Sequence, residues 1–214
     1  FENVGFALKM PQDSLFVRTM LAKTTLKDGV IDLKEASYYV KSFEMDNAEL
    51  AYGPKEELSL KKIGLQLDSI YYCGRDIRAN VEEFVFKERS GLELVSTEGR
   101  IASDSVLIQI PKFTMKTTAS SLDLQTKIGW DVLEMKKTGV LSAKINAEIG
   151  KGDVAKILGG RDTLFLQTYP NKPFVFRVDA EGDLKRLRLR TLEAGLAKAF
   201  ELKAKGNLLH LTDS

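Results

Sequence analysis

The sequence predicts a mainly all-β chain with antiparallel strands in sequence order, and two observations carry that prediction. The first is apolar alternation with a period of two along most of its 214 residues. Successive side chains of a strand point to opposite faces, so each run places its apolar set on one side and its charges on the other. The second is punctuation. Glycine-containing turn signals separate the runs at intervals of roughly 8–15 residues, the spacing of strands that pair with their neighbours in sequence.

The first fifty residues alternate less cleanly, with Val30-Ile-Asp-Leu33 and Ala36-Ser-Tyr-Tyr-Val40 as candidate strands. Leu58-Ser-Leu60 then leads into Ile63, Leu65-Gln-Leu67 and Ile70, followed by Ile77-Arg-Ala79-Asn-Val81, Phe84-Val-Phe86 and Leu92-Glu-Leu94. Val106-Leu-Ile108-Gln-Ile110, Phe113-Thr-Met115 and Leu122-Asp-Leu124-Gln-Thr126-Lys-Ile128-Gly-Trp130 continue the pattern. Leu141 to Ile149, Leu164-Phe-Leu166, Phe174 to Ala180 and Leu187-Arg-Leu189 complete about a dozen candidate strands. Between them stand Lys27-Asp28-Gly29, Tyr52-Gly53-Pro54, Cys73-Gly74-Arg75-Asp76, Arg89-Ser90-Gly91, Glu98-Gly99-Arg100, Thr138-Gly139 and Glu181-Gly182-Asp183, where glycine supplies the positive φ that turns demand. Asp153 to Leu158 reads as one short helix, with Asp153 as a candidate N-cap and Gly159-Gly160 as its stop. From Leu196 to Leu208 both strand and helix fit, the composition favouring helix. No linker divides residues 1–214, so they read as a single unit. Beginning at Phe1 in patterned sequence, the chain reads as a piece of a longer protein.

Composition narrows the function. Lys plus Arg (32) against Asp plus Glu (30) leaves a net charge of +2, which removes the global electrostatic case for a nucleic-acid partner. Cys73 is the single cysteine and His210 the single histidine, a poor basis for a histidine metal site or a Ser-His-Asp triad. The catalytic signatures G-x-S-x-G, H-E-x-x-H, C-x-x-C and the P-loop are absent. Gly150-Lys-Gly-Asp153 suggests an anion cradle at a helix start, but Asp153 would repel a phosphate. Glu82, Glu83 and Asp76 are carboxylates for acid–base chemistry, yet adjacent strand residues face opposite ways and would not share a site. Arg186, Arg188 and Arg190 line one face of a strand and fit either a phosphate contact or a solvated outer face. These readings point away from an enzyme and toward no cofactor.

The apolar face is the one feature large enough to be a site. Alternation fits two arrangements, a closed sandwich or barrel core and a half-open channel that holds apolar ligand, and the pattern by itself favours the closed core.

Three stretches add a resemblance. Leu65-Gln-Leu-Asp-Ser-Ile-Tyr-Tyr-Cys-Gly-Arg-Asp-Ile-Arg78, Phe86-Lys-Glu-Arg-Ser-Gly-Leu-Glu-Leu94 and the Phe174-to-Leu189 segment around Glu-Gly-Asp-Leu-Lys-Arg-Leu resemble the TamB (translocation and assembly module) family and its AsmA-like relatives in Gram-negative envelopes. The resemblance implies an elongated, curled antiparallel sheet, a β-taco, with an apolar interior groove. It further implies a periplasmic segment of an inner-membrane-anchored protein that moves phospholipid toward the outer membrane, with an Omp85-type barrel as partner through parts outside this segment. On that expectation acyl chains would lie against Leu65, Leu67, Phe84, Phe86, Ile108, Ile110, Phe113, Leu124, Ile128, Phe174 and Phe176. The alternative function is a periplasmic scaffold that assists outer-membrane protein assembly by strand-edge pairing.

Overall fold

A computed structural model describes all residues except 1, 11–14, 54–57, 135–138, 160–162 and 210–214; the side chains of 8–10, 15, 16 and 163 are likewise not described. His210, Pro54 and Thr138 therefore lie outside the described residues. The strands are β1 (Glu2–Met10), β2 (Leu15–Asp32), β3 (Ser37–Tyr52), β4 (Leu58–Cys73), β5 (Asp76–Glu88), β6 (Glu93–Ser103), β7 (Leu107–Thr117), β8 (Ser121–Gly129), β9 (Leu141–Ile149), β10 (Phe174–Gly182), β11 (Arg186–Leu196) and β12 (Phe200–Leu209). Three short helices interrupt them: α1 (Trp130–Leu133) before β9, and α2 (Lys151–Leu158) and α3 (Thr163–Thr168) before β10.

All twelve strands form one sheet in the order β1 to β12, every neighbouring pair antiparallel. The sheet is curled and open, not closed into a barrel. Phe174 on β10 and Phe200 on β12 meet with ring centroids 6.2 Å apart, although strands two apart are separated by about 9.6 Å. Their side chains converge over β11, so the sheet is concave on that side.

The hydrophobic pattern explains how twelve strands keep one apolar face. In β4 the apolar residues run Leu58, Leu60, Ile63, Leu65, Leu67, Ile70 and Tyr72, slipping by one residue twice. Each slip coincides with a positive-φ residue, Lys62 (φ 52°) and Ser69 (φ 54°), and with a register shift against β5. A bulge inserts one extra residue, so the following side chains return to the same face while the strand bends and twists. The slip from Val81 to Phe84 in β5, from Ile110 to Phe113 in β7 and from Leu189 to Leu192 in β11 each sits at another register shift. In β7 the slip holds Pro111, which has no N–H to lose from the ladder.

Several expectations need correcting. Lys27-Asp28-Gly29 and Glu98-Gly99-Arg100 are not turns but lie inside β2 and β6. Asp28 adopts φ 51° within a continuous strand, and Gly99 makes room for a neighbouring ring. Leu164-Phe-Leu166 is helical, in α3, and Trp130 opens α1 instead of ending a strand. Three helices replace the one expected. The segment after Leu196 resolves as strand β12, its helix-like composition overridden by pairing with β11.

A Cβ on Gly99 would stand 2.4 Å from the Phe113 ring and 2.9 Å from the Lys112 carbonyl oxygen. The ring can move but the backbone cannot. Gly99→Ala is therefore expected to lower stability by about 1–3 kcal/mol, read as a lower Tm; an unchanged Tm would show that the two strands have slack there.

Candidate functional site

Register pairing assembles the alternating runs into continuous rows. Leu26, Phe43, Leu67, Val81, Gly99, Phe113, Leu124, Ile145, Val178, Leu192 and Ala204 face one another in succession from β2 to β12. Not one residue of this row carries a polar side chain. On one side of it run Thr97, Met115, Leu122, Ala147, Phe176, Ala194 and Leu202. On the other run Tyr38, Tyr72, Ile77, Ser103, Ile108, Ile128 and Leu141.

The eleven residues singled out from sequence all lie on this face. Leu67, Phe113 and Leu124 belong to the central row, Phe176, Ile108 and Ile128 to the flanking rows. Leu65 pairs with Phe84, Phe86 with Leu94, Ile110 with Thr126 and Phe174 with Ile149. Phe84 and Phe86 add a ring contact at 5.5 Å, and Phe174 stacks against Phe176 at 6.5 Å. Sequence reading missed Phe43, Val81, Ile145, Val178 and Leu192. Each was in an alternating run or beside one, but only pairing shows that they complete a single row.

The reverse face is mainly polar, with Tyr39, Tyr71, Val85 and Val175 as apolar exceptions. Glu98, Thr114, Asp123, Asn146, Arg177, Glu193 and Lys203 form one row, and Gln109, Lys127, Ser142, Glu181, Arg188 and Asn207 another. Arg177 pairs with Glu193 at 3.0 Å and Arg190 pairs with Glu181. A concavity of about 500 Å³ on this side is bordered by Lys23, Glu44, Asp46, Lys62 and Glu83, charges of both signs that do not converge on one kind of ligand.

The apolar face has no lid among the described residues. Among the described elements, extensive contacts join only neighbouring strands, α1 with β8 and α2 with α3, so no second layer packs across it. All eleven site residues are half-buried, while the fully buried apolar residues are few, Ile63, Leu94, Val132 and Tyr169 being the larger ones. The accessible surface is 14232 Å², whereas a compact monomer of 23.9 kDa exposes about 9,900 Å². The closed-core arrangement, which the pattern by itself favoured, is therefore not the one adopted.

Two polar clasps fasten the rims. At one, the Trp130 Nε1–H donates to the Asp104 carbonyl at 2.7 Å, and the Arg75 guanidinium lies 5.1 Å from the Trp130 ring centroid while pairing with Glu134 at 2.6 Å. At the other, Asp153 of α2 is only 2% exposed. Its carboxylate accepts from the Thr117 hydroxyl, from Ser120 at 2.6 Å and from Thr118 at 3.4 Å, with Lys156 Nζ at 3.7 Å. Burial pushes this carboxyl up, and the Ser120 and Thr117 hydroxyls with the Lys156 ammonium outweigh it, leaving it below the usual range. Gly150, not Asp153, is the N-cap of α2, and a Cβ there would stand 2.2 Å from the Ala119 carbonyl oxygen. The suggested anion cradle is thus a close backbone approach stapled by a buried carboxylate. Of the acidic trio, Glu83 faces Gln66 on the polar side and Glu82 occupies a bulge, while Asp76 pairs with Arg78 at 2.7 Å. No group of three His, Cys, Asp or Glu among the described residues is placed to hold a metal ion.

Compared with known protein families, curated proteins and solved structures, the chain matches none. The likeness to TamB rests on the quoted stretches alone.

Asp153 supplies a prediction with a definite sign. A carboxyl lowered by folding contributes stability above its unfolded value, about pH 4, and loses it as pH falls through the folded value. Asp153→Asn is expected to remove about 2–3 kcal/mol near neutrality, to speed amide exchange across Lys151–Leu158, and to flatten the acid limb of the stability curve. Unchanged exchange in α2 would contradict the clasp.

Proposed function

We propose that this chain is a non-enzymatic lipid conduit, in which phospholipid acyl chains lie along the apolar face and headgroups stay at the wet mouth of the curl. The observation that carries this reading is the unbroken apolar row from Leu26 to Ala204, with no second layer over it among the described residues. Twelve strands at about 4.8 Å give a groove roughly 55 Å long, a fair part of a crossing between two membranes. Each lipid CH₂ removed from water contributes about 0.8 kcal/mol. A strip without a specific polar contact holds a chain without fixing its position, which suits sliding. The resemblance to TamB supports a place in the Gram-negative envelope: periplasmic, as part of an inner-membrane-anchored protein that serves outer-membrane biogenesis. No helix among the described residues is long and apolar enough to cross a membrane.

A second reading has one observation in its favour. β1 and β12 are unpaired edges, and β12 is exposed along its whole length. An exposed edge can take up a client strand by backbone pairing, the assembly-scaffold function.

Native mass spectrometry of the purified chain separates the two. The conduit predicts copurifying phospholipid that Phe86→Glu abolishes while the circular dichroism spectrum is retained. The scaffold predicts no bound lipid, together with client capture lost when proline replaces Lys203 in β12.

A further inference from the structure

The helical insertion between β9 and β10 exposes apolar surface outside the groove. Ile157 at the end of α2 is 66% exposed, Leu164 in α3 71%, and Phe165 remains 44% exposed although its ring packs edge-on against Tyr169. Fully burying side chains of this size is favourable by about 1.5–3 kcal/mol each, so their display on a short insertion asks for an occupant. The charges around them indicate its sign. Among the described residues of the insertion, Lys151 donates to the Tyr169 carbonyl and Lys156 to Thr118 beside Asp153, Lys172 is exposed, and the carboxylate of Asp153 is withdrawn into its hydroxyl cluster; Arg161 and Asp162 lie outside the described residues. The next turn on the same rim adds the exposed Lys198. The exposed charges described on the insertion and that turn are therefore Lys172 and Lys198, beside the exposed apolar side chains.

We propose that the α2–α3 insertion is an interfacial foot that seats on an anionic lipid surface, with Ile157, Leu164 and Phe165 entering between acyl chains and Lys172 and its neighbours meeting the phosphates. Apolar residues projecting from a basic surface are the composition of interfacial membrane binding, and each lysine near an anionic leaflet strengthens it. Other occupants fit less well. A second copy of the chain would set lysine against lysine, and a polar ligand would leave the three apolar side chains unused. The Asp153 clasp gives the foot a firm base, because Thr117 and Ser120 tie α2 to the β7–β8 turn. The proposal goes beyond the conduit: the foot is a contact with a bilayer and needs no lipid in the groove.

Cosedimentation with vesicles of phosphatidylcholine containing 30% phosphatidylglycerol, and with pure phosphatidylcholine vesicles, tests it. The wild-type chain is expected to bind the anionic vesicles preferentially and to release them in high salt, as screening shortens the reach of the lysines. Ile157→Ser/Leu164→Ser/Phe165→Ser is expected to reduce binding by about fivefold or more. Lys172→Glu, at an exposed position with no bearing on the clasp, is expected to weaken binding to anionic vesicles alone. Phe86→Glu, which removes groove lipid under the conduit reading, should leave vesicle binding intact, so failure of one proposal is visible apart from failure of the other. Equal sedimentation of the triple variant and wild type overturns the foot, as does absence of wild-type binding. Wild-type self-association that the triple variant abolishes, without vesicle binding, also overturns it and assigns the patch to a second copy.

Discussion

A single layer of sheet with all its apolar side chains on one side leaves that side facing whatever lies next to it. Sandwiches and barrels solve this by bringing a second apolar face against the first. Here twelve strands extend in one direction and curl instead, so the middle of the face is half-buried while its ends, at Leu26 and along β12, are exposed. The large accessible surface is the direct expression of that choice. Everything else in the molecule serves to keep the face continuous: bulges that restore phase, a glycine under a ring, and polar clasps confined to the rims.

Phase is the demanding part. Strands of 16 to 18 residues such as β2, β3 and β4 accumulate twist, and strict alternation would carry apolar residues away from the concave side. The one-residue slips at Lys62, Ser69, Glu82, Pro111 and Arg190 reset them. The same bulges bend the strands, so curvature and continuity come from one device. The polar row opposite, from Glu98 to Lys203, shows that the slips act on both faces together. An acyl chain on the concave side would meet hydrocarbon at every step.

Much of this was legible in the sequence because a period of two is a local signal. The eleven selected residues fell on one face because each sat in a run whose neighbours declared its phase. The irregular spacing Leu60–Ile63 and Leu67–Ile70 was visible too, although spacing alone does not say that an extra residue enters as a bulge and not as a turn. That ambiguity misassigned Lys27-Asp28-Gly29 and Glu98-Gly99-Arg100. Asp28 takes positive φ inside a strand, and Gly99 is small because Phe113 of the neighbouring strand lies over it, neither of which local spacing reveals. Asp153 was misread for the same reason: its partners Thr117 and Ser120 lie more than thirty residues earlier, and no helix-start signal reveals a carboxylate turned inward. Leu164-Phe-Leu166 is too short for its period to distinguish helix from strand.

The central claim is that hydrocarbon occupies the apolar face along its length. Photocrosslinking in cells measures this directly, with benzoylphenylalanine placed in turn at Leu67, Phe113 and Val178 on the apolar row and at Thr114 and Asn146 on the polar side. The account predicts phospholipid adducts at all three apolar positions and at neither polar one. Adducts equally frequent on both faces, or protein adducts replacing lipid along the apolar row, would contradict it.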